Sequence, residues 1–251
     1  MSNNIQTEYT MPLKIASYDV GEGDTLRLSA ILRSQQEAGE QHLSPGGLGW
    51  RALGEEGIAF VASRWHTTIR RLPTMEEQVT LTTWHRERKG PRFLRCYEWL
   101  DGAGEVLIQG VMQFALVAVE GHRLLRGDEF MRLAPLPDPL RGVACTDPER
   151  FRLPPVQPVG EYRVRRSDID RNGHMNNTHY ADLLWDFLPI DPAGRQPVDV
   201  QLHFAGESRL GDTLAMTGGA DEAGVLYVRG DHARGGAFAA RVELGEEHNE
   251  L

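Results

Sequence analysis

Apolar residues recur at two periods along this chain, and the period changes at definite points. Leu26, Ala30, Ile31 and Gln35 fall at three- and four-residue spacings, which puts them on one face of a helix ending near Gly39. Tyr180, Leu183, Leu184 and Phe187 repeat that pattern and stop before Pro189. Elsewhere short runs rich in β-branched and aromatic residues predict strands. They are Ile58–Ser63, Gln78–His85, Phe93–Leu100 and Val106–Val119, then Val198–Phe204, Thr213–Thr217, Val225–Arg229 and Ala237–Leu244. Asp-Gly-Ala-Gly-Glu at 101–105 and Asp-Glu-Ala-Gly at 221–224 are hairpin turns between them. Extended segments at Leu13–Tyr18 and Glu161–Val164 precede the two helices.

The order is therefore strand, polar turn, helix, four strands, and then the same again. Sliding one half over the other by about 151 residues lays Asp19 on Asp170, Ala30 on Ala181 and Leu32 on Leu183. This predicts an α+β fold of tandem duplicated modules, each a curled antiparallel sheet around a central helix, the hot-dog arrangement. Seven of the fourteen prolines lie between Pro135 and Pro158, where missing backbone donors and a fixed φ exclude a helix or central strand. The expected division is a first module at 10–130, a proline-rich linker at 131–159 and a second module at 160–245.

Composition narrows the class of function. A chain of 251 residues with 40% hydrophobic and 25% charged residues can bury a real core. Cys96 and Cys145 are too few for a disulfide framework, and a reducing, cytoplasmic setting is expected. There is no apolar run of about eighteen residues and no signal-peptide pattern, so no membrane insertion is expected. The net charge of −9 argues against nucleic acid as a partner. The positive charge is nearly all arginine, Lys14 and Lys89 being the only lysines.

The segment richest in chemistry is SDIDRNGHMNNTHYADLLWDF at 167–187. Asp170, Asn172 and His174 occupy alternate positions, which in an extended strand point to one side. Asn176 and Asn177 follow at the helix start, where Asn also serves as a cap. A helix N-terminus offers unpaired N–H groups and a positive dipole end, suited to a developing oxyanion. His179 and His203 read as packing or surface groups, and Trp65, Trp84, Trp99 and Trp185 as core.

This run resembles the Asp-x-Asn-x-His-(Val/Met)-Asn-Asn-x-x-Tyr signature of the acyl-acyl carrier protein thioesterases, FatA/FatB-like and of the bacterial type. A shorter form of that signature is shared by small hot-dog acyl-CoA thioesterases. Leu32–Gly39, Gly57–Arg64 and Pro73–Trp84 resemble further stretches of the family, so the likeness covers about 10–245. It implies hydrolysis of a fatty acyl-carrier-protein thioester to free fatty acid, without metal or cofactor. It makes Asp170, Asn172 and His174 catalytic, and Asn176 and Asn177 substrate-positioning or oxyanion groups. Leu202–Ser208 resembles the family's acid-bearing strand, which carries a fourth catalytic role onto Glu207. Many plant members have Cys after that acid where this chain has Ser208, so a cysteine nucleophile is not expected. The 151-residue register puts Gly21 and Gly23 on Asn172 and His174, which implies one active site per chain. The first module would supply the acyl pocket, with its helix near Leu26–Leu32 as a wall.

The implied partner, acyl carrier protein, is itself acidic. Eight cations lie between Arg64 and Arg95 against three acids, Glu76, Glu77 and Glu87. Arg86, Arg88, Lys89 and Arg92, at the turn between two strands, are therefore the expected docking residues, with 163–166 a second basic cluster. Hot-dog modules pair, so one chain could be a monomeric pseudo-dimer or form a homodimer. Three other readings share this sequence: an acyl-CoA thioesterase, a dehydratase of 3-hydroxyacyl thioesters, and a non-catalytic acyl-thioester-binding protein.

Overall fold

The structure is a computed structural model that describes residues 6–89, 92–126, 142, 146–192 and 194–246. Among the described residues, ten antiparallel strands form one sheet. The first half holds β1 (Glu8–Lys14), β2 (Ile58–Ile69), β3 (Gln78–Lys89), β4 (Arg92–Leu100) and β5 (Val106–Ala118). The second holds β6 (Gln157–Arg163), β7 (Pro197–Phe204), β8 (Thr213–Ala220), β9 (Leu226–His232) and β10 (Gly235–Leu244). The spatial order is β1-β3-β4-β5-β2-β7-β10-β9-β8-β6. Read outward from the centre, the two halves have the same order, so the duplication seen in the sequence is a duplication of topology.

The halves meet where β2 pairs with β7, Arg64 opposite His203 through Thr68 opposite Asp199. The outermost strands, β1 and β6, each carry a proline, Pro12 and Pro158. A residue without an N–H is tolerated at a sheet edge because one side of the strand needs no ladder donor. The segment expected at Leu13–Tyr18 ends earlier, and Ser17–Asp19 is instead a turn of 3-10 helix.

Helix α1 (Leu28–Leu43) runs past Gly39. Ala38 and His42 continue its buried stripe, and Pro45 lies two residues beyond its end. Its inner face packs into the main core with Ile31, Leu32 and Trp65, and the Trp65 indole N–H donates to the Gln35 amide oxygen at 2.9 Å. A short helix not legible in the sequence, α2 (Trp50–Glu55), covers a smaller cluster built on Leu53, Ile58, Phe93 and Leu116. Helix α3 (His179–Asp186) buries Tyr180, Ala181, Leu183 and Leu184. Of the four tryptophans expected in the core, Trp65, Trp84 and Trp99 are buried and Trp185 is partly buried.

The stretch expected to be a linker is described from Thr146 onward, and Cys145 lies outside the described residues. It crosses the β2–β7 junction as a strap. His66 Nδ1 lies 2.8 Å from the Thr146 carbonyl oxygen, and His203 Nε2 lies 2.7 Å from that of Glu149. The Phe151 ring stacks on His203 at 4.1 Å. Further on, a Cβ at Gly219 would stand 2.4 Å from the Pro155 carbonyl oxygen, so only glycine lets the strap lie this close.

Two predictions follow from this packing. Leu202 is fully buried, opposite Trp65 on β2 and Ala240 on β10. Leu202→Ala should cost about 2–5 kcal/mol in urea unfolding. Because Leu202 sits at the junction, both halves should lose stability in one transition; two transitions with the first half unaffected would show uncoupled modules. The second concerns His42, whose Nδ1 accepts from the Arg95 guanidinium at 2.8 Å. Burial first, and the Arg95 charge second, lower its pKa from 6.5 to about 4. The unfolded chain therefore takes up the proton before the folded one. This stabilisation is complete above about pH 6.5 and is lost as pH falls toward 4, by about 1–3 kcal/mol. Denaturation curves across that window should be less pH-dependent in His42→Gln than in the parent; an unchanged slope would remove His42 as the cause.

Candidate active site

The polar run before α3 is a closed turn, not the extended segment its alternation suggested. Ile169 and Met175 form an isolated antiparallel bridge, the Asp170 N–H donates to the His174 carbonyl at 3.0 Å, and the Gly173 N–H to the Asp170 carbonyl at 3.0 Å. Gly173 has φ 81°, which closes the loop. Asp170, Asn172 and His174 are thus gathered by a turn. Asp170 accepts at both carboxylate oxygens from Asn172: the backbone N–H reaches Oδ1 at 2.8 Å and the side-chain amide Oδ2 at 3.3 Å.

The first half contains the same turn. Val20 and Leu26 form the matching bridge, Gly21 N–H donates to Thr25 and Asp24 N–H to Gly21. Each contact is displaced by 149 positions, 20 to 169 and 26 to 175, so the structural register differs by two from the alignment of apolar residues. Asp19 matches Asp168, while Gly21, Gly23 and Thr25 stand where Asp170, Asn172 and His174 do. The first copy lacks the polar triad in this register too.

The turn is tied to the loop after β7. The Met175 N–H donates to the Ser208 carbonyl at 2.7 Å, and the buried Tyr180 hydroxyl to the Ser208 hydroxyl at 3.0 Å. Burial holds the Tyr180 pKa above its ordinary value, so the phenol stays protonated. Glu207 precedes Ser208 on this loop, beyond the end of the strand, with its carboxylate 3.6 Å from Arg209. Its carbonyl accepts from Arg234 at 3.2 Å and lies 3.0 Å from His232 Nε2. The backbone therefore brings Glu207 beside the turn. Among the described residues no hydrogen bond joins the His174 imidazole to either carboxylate; its Nδ1 lies 3.4 Å from the Met175 carbonyl.

The amides around the helix start are largely committed. Asn176 N–H donates to Asp168, Thr178 N–H to the Asn176 side chain, and His179 N–H to the Asn176 carbonyl. The Asn176 side chain thus holds the turn that leads into the helix, and the residue also lines the cleft. The N–H groups of His174 and Asn177 make no hydrogen bond among the described residues, nor does the Asn177 side chain.

Asp170 and Asn176 open onto a cleft of about 420 Å³ whose facing wall is Arg33, Gln36 and Glu37 of α1. That wall lies one turn beyond Leu26–Leu32, whose leucines and Ile31 are buried in the core. The polar face of α1 was visible in the sequence, but nothing local showed that it would meet the second half. His179 also lines the cleft.

Of the expected docking residues, Arg86 is turned inward, 6% exposed, against Asp147 and Glu87. Arg88 and Arg92 are exposed, and the Lys89 side chain lies outside the description. Among the described residues no cluster of His, Cys, Asp and Glu could hold a metal, and no helix is long and apolar enough to cross a membrane.

Comparison with known proteins places the chain in a family and supports its fold. A family model described as the acyl-ACP thioesterase N-terminal domain matches residues 6–132, and one described as the C-terminal domain of the same family matches 156–240. Oleoyl-acyl carrier protein thioesterase 1 of Arabidopsis thaliana is 22% identical over 202 residues, 72% of this chain and 55% of its own length. The dodecanoyl-[acyl-carrier-protein] hydrolase of Umbellularia californica is 23% identical over 239 residues, 84% of this chain and 60% of its own. The chain thus spans little more than half the length of these curated relatives. A crystal structure of an acyl-ACP thioesterase from Bacteroides thetaiotaomicron superposes with a TM-score of 0.85 at 20% identity, covering 98% of this chain and 100% of that one. The 12:0-ACP thioesterase from Umbellularia californica gives 0.82 at 20% identity, covering 96% and 98%. At such identities these superpositions establish the fold.

The left-handed turn residue offers a direct check. A Cβ at Gly173 would meet nothing within 4 Å, so any penalty comes from the backbone alone. Gly173→Ala should lose about 1–2 kcal/mol in chemical denaturation, and Gly173→Asn less. A neutral alanine variant would mean that the turn is not held in this conformation.

Proposed function

Because this chain belongs to the acyl-ACP thioesterase family, we propose that it hydrolyses fatty acyl thioesters of acyl carrier protein, releasing free fatty acid and the carrier thiol. The observation that carries this reading is the bond from Met175 to Ser208, which sets the Asp170–Asn172–His174 turn against the loop of Glu207. The acidic carrier delivers the acyl group, and two cysteines, too few for a disulfide framework, fit a reducing cytoplasm.

The committed hydrogen bonds divide the labour. Asp170, occupied on both oxygens by Asn172, orients that amide and is poorly placed to attack. Proton transfer falls to Glu207 and His174, which activate a water. The hydroxide adds to the thioester carbonyl carbon, and the oxyanion is stabilised by the second Asn172 amide hydrogen and the uncommitted N–H of Asn177. Collapse of that intermediate breaks the C–S bond, and the leaving thiolate takes the proton that the base removed from water. The first module supports the acyl chain, and its α1 walls the cleft onto which Asp170 and Asn176 open; Asn172, His174, Asn177 and Glu207 do not line that cleft.

A thiol-release assay on acyl-carrier-protein and acyl-CoA thioesters of several lengths tests both reaction and carrier. Asn172→Ala, Asp170→Asn, His174→Ala and Glu207→Gln should each lower kcat by about 10²–10³ with the circular dichroism spectrum unchanged. A variant that keeps near parental rate removes its residue from the mechanism, and turnover of CoA thioesters alone would reassign the carrier.

A further inference from the structure

Arg171 lies between Asp170 and Asn172, and the mechanism does not use it. Its guanidinium carbon stands 4.0 Å from the centroid of the Trp50 ring, the first residue of α2. The Trp50 backbone N–H is held by the Glu40 carboxylate of α1 at 2.9 and 3.1 Å, while the residue as a whole is 41% exposed. The stack therefore joins the two modules at the surface, beside the catalytic turn. Arg33, Arg71, Arg209 and Arg234 each face a carboxylate, whereas Arg171 makes no ion pair among the described residues. A guanidinium lying over a ring keeps donors at its edge for an incoming carboxylate.

Other arginines share this end of the sheet. β2 begins at Ile58, just after α2, and is antiparallel to β7, so its start points the way that β7 runs out to Glu207 and Arg209. Ile58 pairs with Ala118 and Arg92 with Ala115, which brings the β3–β4 hairpin to the same end. β4 and β7 are separated there by β5 and β2, three strand spacings or about 14 Å along the sheet. Arg51, Arg88, Arg92 and Arg171 are exposed at this end. Resting on the thioesterase reading, we propose that this end of the sheet is the docking face for the acidic carrier protein, with Arg171, held on Trp50, as the contact nearest the thioester.

The test is binding of holo-acyl carrier protein, without an acyl group, to the full chain at low and at about 0.15 M ionic strength. Arg171→Glu should weaken binding at least about tenfold and reduce its salt dependence. Trp50→Ala should weaken it less, with the charge kept and its platform removed. The control is Arg70→Glu, an exposed arginine just past the other end of β2. Unchanged affinity in Arg171→Glu, or equal loss in Arg70→Glu, would overturn the proposal, the second by showing a diffuse charge effect. In hydrolysis, Arg171→Glu should raise KM for acyl carrier protein and lower the ratio of its kcat/KM to that for an acyl-N-acetylcysteamine thioester. Equal losses on both substrates would mark Arg171 as structural. If the parent chain cleaves neither thioester, the hydrolase reading fails, and the carrier titration still decides the docking face.

Discussion

The five-residue ladder between β2 and β7 is the constraint on which the rest of this molecule depends. Each half has its own helix and curled sheet, yet neither half alone encloses the cleft. Joining the two central strands edge to edge makes one continuous sheet and fixes how the halves face each other. It brings α1 of the first half against the turn of the second. The strap from Thr146 onward reinforces the seam, since its carbonyls meet His66 on one strand and His203 on the other. His66 also pairs with Asp199 across the junction at 2.7 Å, and Asp199 with Arg241 at 2.9 Å. Burial alone would depress the His66 pKa, but the Asp199 bond and charge outweigh it and raise it.

The two halves share one turn but not its side chains. Both copies keep the bridge, the returning backbone bond and a left-handed residue, Asp24 (φ 55°) in the first and Gly173 in the second. Only the second copy carries Asp, Asn and His on that frame. The first contributes instead through α1, whose outward face supplies Arg33, Gln36 and Glu37 to the cleft. The same turn thus recurs in both halves, while the cleft is walled by residues of both.

Much of the fold was legible because strand alternation and helical spacing are local. All eight strand-like runs read in the sequence are strands, though Ile58–Ser63 continues to Ile69 and Gln78–His85 to Lys89. Boundaries failed where tertiary contacts overrode local preference. Gly39 did not end α1, because the burial of Ala38 and His42 continues the helix to Leu43. The repeat register was off by two because apolar residues align helix with helix, whereas the turn is defined by backbone bonds that side-chain pattern does not encode.

The residue types, their order before a helix, the doubled α+β plan and the family resemblance were determined by the sequence alone. They depend on covalent spacing and on motifs within a few residues. Only the tertiary structure decided that Arg86 turns inward to Asp147, that Asn176 both accepts from Thr178 N–H and lines the cleft, and that Arg171 lies on Trp50. Each of these depends on partners in another part of the chain or on which backbone N–H groups are already satisfied. Periodicity reports which side of an element is buried; it carries no information on what stands opposite.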